Sequence, residues 1–231
     1  MRLLLVLLFC CSASSAFAFP SLRLSWDDCS VISPNKSWSG PGMYRLVVSG
    51  TGFTDHYKFV QVGIGFYPRR VVPAWDFSTV DYWGGTPCHS ASLLTVGPGT
   101  GTCPSFPATL VTGRMEEGSL TQPGWTGLGM YANLDPSFTP VAATRYTLFQ
   151  IDFDHSQSLE GVQPYPACGS VELPMCLVVA FKQLNTTTIT GALWADEVAY
   201  ATWQDPSNSL GCPGATAAVA RTWGSIRGMY R

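Results

Sequence analysis

Charge is what this chain has least of: 12% of its residues are Asp, Glu, Lys or Arg, about half the usual share. Lysine is scarcest, present only as Lys36, Lys58 and Lys182. From residue 19 to residue 220, nine Lys or Arg stand against fifteen Asp or Glu, a balance of −6, whereas Arg221, Arg227 and Arg231 give the last eleven residues +3. A body of that sign cannot neutralise the several phosphates on which nucleic-acid affinity depends, so DNA and RNA are not expected partners. Long apolar runs are missing too, since nothing beyond the N-terminal residues is apolar over the ~18 residues a membrane helix needs. There is no Cys-x-x-Cys pair to suggest structural zinc. The histidines, His56, His89 and His155, form no His-x-x-x-His pattern. No Gly-x-Ser-x-Gly elbow occurs, and the Gly97–Gly101 stretch lacks the Lys-Ser/Thr ending of a phosphate loop. Serine hydrolases and nucleotide enzymes lose their support, and no cofactor is expected.

What the chain does have begins at its N-terminus. Arg2 precedes the apolar run Leu3–Cys11, and Ala16-Phe17-Ala18 places small residues where a signal peptidase cuts, so residues 1–18 read as an export signal and Phe19 as the mature start. The expected location is secreted or cell-surface. Export leaves Cys29, Cys88, Cys103, Cys168, Cys176 and Cys212 in an oxidising compartment, where disulfides are the default. Sequence leaves their connectivity open; proximity favours Cys88 with Cys103 across a Gly-rich stretch and Cys168 with Cys176 across a short loop. Cys29 and Cys212 would then staple the ends.

The whole chain is 46% hydrophobic, with 23 Gly and 17 Pro, a composition that supports short strands and turns over long helices. Apolar and polar residues alternate along Leu22–Trp26, Met43–Ser49, Val60–Phe66, Leu93–Val96, Thr109–Thr112, Trp125–Tyr131, Arg145–Phe153, Cys176–Leu184 and Glu197–Trp203. About nine strands predict one all-β domain over residues 19–203, a two-sheet antiparallel sandwich of jelly-roll or immunoglobulin-like type. Within it, Thr147, Phe149, Ile151 and Phe153 are expected on one face of their strand, with Tyr146 and Leu148 on the other. Pro68–Cys88 reads as a long packed loop. Residues 204–231 read as a turn-rich linker and basic tail, in which Trp223, Ile226 and Tyr230 could form a short helix.

Leu24-Ser25-Trp26-Asp27-Asp28-Cys29, Thr202-Trp203-Gln204 and the closing Gly211-Cys212-Pro213-Gly214-Ala215-Thr216 through Arg221-Thr222-Trp223-Gly224-Ser225-Ile226-Arg227-Gly228-Met229-Tyr230-Arg231 resemble an uncharacterised group of secreted bacterial proteins. The group has further cysteines that this chain lacks. The resemblance implies secretion and a similar architecture, and brings no activity with it.

Candidate chemistry is sparse. Asp152 and Asp154, followed by His155, alternate as metal-binding oxygens can. No carboxylates are placed by sequence across a cleft, as a glycosidase requires. The feature that leans towards a ligand is aromatic abundance: Trp75, Tyr82, Trp83, Trp125 and Tyr131 fall in or beside predicted loops, where flat rings can stack on sugar faces. The leading expectation is a non-catalytic binding or structural module whose partner is a glycan or a surface protein; the alternative is a secreted carbohydrate-active hydrolase.

Overall fold

The computed structural model describes residues 20–67, 94–99, 101–117, 126–160, 168–187, 195–207, 209 and 211–212. The expected signal, the predicted loop at 68–88 and the basic tail lie outside them. In chain order the strands are β1 (Ser21–Trp26), β2 (Asn35–Lys36), β3 (Met43–Thr51), β4 (Tyr57–Tyr67), β5 (Leu94–Gly97), β6 (Ala108–Glu117), β7 (Thr126–Leu134), β8 (Tyr146–Asp154), β9 (Met175–Thr186), β10 (Ala195–Val198) and β11 (Tyr200–Trp203). Each alternating run coincides with strand over its described residues, apart from Arg145 and Ala199. The last divides at Ala199 into β10 and β11, which belong to different sheets, and β2 is too short for alternation to reveal.

The strands form two sheets, β10-β1-β3-β8-β5 and β2-β11-β9-β4-β7-β6. Both are antiparallel apart from one edge pair each, β1 with β10 and β2 with β11, which run parallel. Alternation drives the layers together: Leu22, Leu24 and Trp26 of β1 share one buried cluster with Val60, Val62 and Ile64 of β4 and Leu128 and Met130 of β7. The chain is thus an all-β two-sheet sandwich. Among the described residues no helix is long and apolar enough to cross a membrane.

One strand departs from its expected faces. Val48 pairs with Phe149 and Ser49 with Thr147, so Leu148 is an extra residue in β8. Such a bulge resets the alternation. Tyr146 and Leu148 therefore join Phe149, Ile151 and Phe153 in the core, rather than facing away from them.

The disulfides differ from the neighbour pairing. Cys29 is bonded to Cys103 and Cys176 to Cys212, and Cys168 is disulfide-bonded as well. Neither Cys88–Cys103, Cys168–Cys176 nor Cys29–Cys212 forms, because strand pairing decides which connections meet. Pro104 and Phe106 are held to β8 by Thr147 N–H donating to Pro104 O and Phe106 N–H to Thr147 O, both at 2.9 Å. The turn after β1 folds back over β3, with Asp27 N–H donating to Arg45 O at 2.9 Å. Cys29, Cys103 and Val47 then form a small buried cluster of their own. On the other sheet, Thr202 of β11 lies opposite Cys176, so the chain leaving Trp203 starts beside the cysteine it will bond.

Gly127 of β7 lies close against the backbone of β4. A Cβ there would sit 2.6 Å from the Ile64 carbonyl oxygen and 3.3 Å from Gly65 Cα, backbone atoms that cannot swing aside. Gly127→Ala is expected to cost about 1–3 kcal/mol, against little for Gly42→Ala, whose Cβ would meet nothing within 4 Å. Thermal unfolding of the two variants side by side checks this, and equal losses would refute the close approach.

Candidate functional site

The Cys29–Cys103 and Cys176–Cys212 disulfides lie over outer faces of the sandwich. The Cys29–Cys103 cluster covers the outer side of β3 at Val47. Cys176, Val178 and Cys212 form another cluster, with Tyr67 and Tyr200 packed against it, at one end of the six-stranded sheet. The opposite end of that sheet is different. There β4 and β7 alternate fully buried Val60, Val62, Met130 and Ala132 with Phe59, Gln61, Tyr131 and Asn133, none of which is buried. Since alternate residues of a strand face opposite ways, the second set forms an outward surface.

Register arranges this surface in rows across the strands. In one row Phe59 pairs with Asn185 of β9 on one side and Asn133 on the other, and Asn133 pairs in turn with Leu110 of β6. In the next, Gln61 pairs with Gln183 and Tyr131, and Tyr131 with Thr112. Beyond, Gly63 lies opposite Gly129 and Gly65 opposite Gly127, so side chains on β4 and β7 stop after two rows. The Phe59 and Tyr131 rings, one from each row, have centroids 6.5 Å apart and planes 29° apart. Tyr131 is 40% and Leu110 48% exposed. Gln183 Nε2 donates to Asn185 Oδ1 at 3.1 Å, which orients both amides on the face. The surface therefore offers flat apolar rings between groups that both donate and accept hydrogen bonds.

Of the five aromatic candidates, Tyr131 is placed here, on β7. Trp75, Tyr82, Trp83 and Trp125 lie outside the described residues. Phe59, Gln61, Gln183 and Asn185 were not singled out in the sequence. The signal was nonetheless present, because stepping back two residues from Gln61 puts Phe59, an aromatic residue, on the polar side of β4.

Asp152 and Asp154 have separate partners. Asp152 Oδ1 accepts from Arg45 Nε at 2.8 Å and Oδ2 from Gln150 Nε2 at 2.9 Å, and this carboxylate raises the Arg45 pKa above its ordinary value. Asp154 Oδ1 accepts from the Ser156 N–H at 2.8 Å, closing a turn. His155 points into the core, fully buried, with Nδ1 2.9 Å from Ser158 Oγ and its ring among those of Trp38, Tyr44, Phe153 and Trp203. Among the described residues no three His, Cys, Asp or Glu side chains group as metal ligands. Near the first disulfide, the Thr102 hydroxyl and the Ser30 N–H both donate to Asp28, which holds that carboxyl below the usual aspartate range.

No family model and no curated protein matches the chain. Among solved structures it is similar to the second type II cohesin module from the ScaA scaffoldin of Acetivibrio cellulolyticus, with 11% identity and TM-score 0.43 over 79% of this chain and 96% of that one. It is also similar to the sixth cohesin of that organism's scaffoldin B, solved with a dockerin, at 10% identity and TM-score 0.40 over 79% and 97% of the two chains. A non-cellulosomal cohesin from Archaeoglobus fulgidus aligns at 7% identity and TM-score 0.36 over 79% and 89%.

Proposed function

We propose that this protein is an exported, non-catalytic binding module that holds a glycan against the open end of its six-stranded sheet. The observation that carries the reading is the Phe59–Tyr131 ring pair, partly exposed and flanked by amides. Sugars present apolar C–H faces and a rim of hydroxyls. Rings take the first without an ionic partner, and amides, as donors and acceptors at once, take the second. The disulfides of the described residues support export, because such bonds persist outside the reducing cytosol.

The test is a glycan array probed with the mature chain, followed by titration of the best ligand. Tyr131→Ala is expected to weaken binding at least tenfold, equivalent to about 1.4 kcal/mol, with little change in melting temperature, since the ring is only partly buried. Unchanged affinity would take the site elsewhere. Product released from the array would instead favour a hydrolase.

A further inference from the structure

Resting on that reading, we infer that the ligand is an uncharged saccharide chain of three or more units, lying across the strands. Direction follows from where the side chains are. Read along β4, the outward face offers Phe59 and Gln61 and then two glycines; along β7 it offers Asn133 and Tyr131 and then two glycines. Read across, each row offers four side chains in succession, from β9 to β6. A chain laid along a strand would soon pass over positions with neither ring nor hydrogen-bonding group. Laid across the second row, it keeps amide, ring and hydroxyl beneath it for three strand spacings, about 14 Å, the reach of an extended trisaccharide. In the second row the Tyr131 ring stands between the amides of Gln183 and Gln61 and the hydroxyl of Thr112, so a single sugar can meet only part of the set.

Charge follows from the same rows, neither of which contains Asp, Glu, Lys or Arg. The nearest charge along β4 is Lys58, the extra residue at the bulge before Phe59, which is exposed beside the first row, while the row of Tyr131 lies further along the strand. A carboxylate or sulfate held over the row of Tyr131 would lose water with no cation in that row to replace it, whereas a hydroxyl exchanges water for an amide.

The test is calorimetric titration of the full mature chain with glucan, xylan and mannan oligosaccharides of one to six units, and with polygalacturonate and sulfated dextran. Affinity for at least one neutral series should rise tenfold or more from one unit to three and then level off, with little dependence on salt. Gln183→Ala, at one end of its row, should lower affinity for the trisaccharide while the melting temperature holds. Equal affinity for one unit and three, or tightest binding to an acidic polymer, would overturn this inference and leave the glycan-binding reading standing. Silence towards every saccharide would overturn both.

Discussion

Replacing Cys29 and Cys103 together by alanine will lower the unfolding free energy by about 4.5 kcal/mol at 25 °C in the chain-entropy model. The bond joins residues 74 apart in sequence, and releasing so long a loop returns much of the freedom that folding must otherwise remove. The same change at Cys176 and Cys212, 36 residues apart, should cost less, about 3.8 kcal/mol. Local packing does not separate the two bonds, since Cys176 and Cys212 are 0% and 3% exposed. Cys29 is 1% and Cys103 8% exposed, and with Val47 they form the cover over one side of β3. Alanine in place of serine avoids adding a buried hydroxyl to the account. Urea unfolding under non-reducing conditions measures the loss, and a peptide map should find the two halves of the bond in one fragment. A loss below about 1 kcal/mol, or Cys103 found linked to Cys88, would defeat the prediction.

That bond also marks how far the sequence can be read. Alternation made the strands legible, because an apolar residue at every second position is what a sheet buried on one side demands. Two packed layers followed from it. What alternation cannot convey is which strands become neighbours. The pairing of Cys29 with Cys103 depends on β1, β3 and β8 lying side by side, and Cys176 meets Cys212 because β11 lies beside β9. Each is a consequence of topology across long stretches of chain. The bulge at Leu148 was hidden for a different reason: one extra residue leaves the composition of β8 unchanged and alters only its phase. The candidate site was half legible. Tyr131 stood out as an aromatic residue, but its partner Phe59 lies next to the run Val60–Phe66 and reads as its continuation. Only the strand phase puts it outside.

Stability and recognition should separate at Trp203. This side chain is fully buried where the end of β11 meets β1 of the opposite sheet, its ring 5.8 Å from that of Trp26 and 4.8 Å from that of Tyr44. Its indole N–H donates to the Val171 carbonyl oxygen at 2.5 Å. Trp203→Ala removes the ring, leaves a cavity between the layers and orphans that carbonyl, so a loss of about 3–5 kcal/mol is expected. Trp203→Phe keeps most of the packing and forfeits the hydrogen bond, which predicts a smaller loss of about 1–2 kcal/mol. Trp203 pairs with Met175 at the start of β9, whereas Phe59 pairs with Asn185 near its end, so the two places are opposite ends of one strand. At a temperature where Trp203→Ala remains folded, its affinity for glycan should match that of the parent chain, while Tyr131→Ala shows the reverse pattern, with stability kept and binding lost. Urea unfolding and titration of both variants give a two-by-two comparison. If Trp203→Ala unfolds as readily as the parent, the ring does not join the sheets. If folded Trp203→Ala loses binding as Tyr131→Ala does, the open face is not the recognition surface.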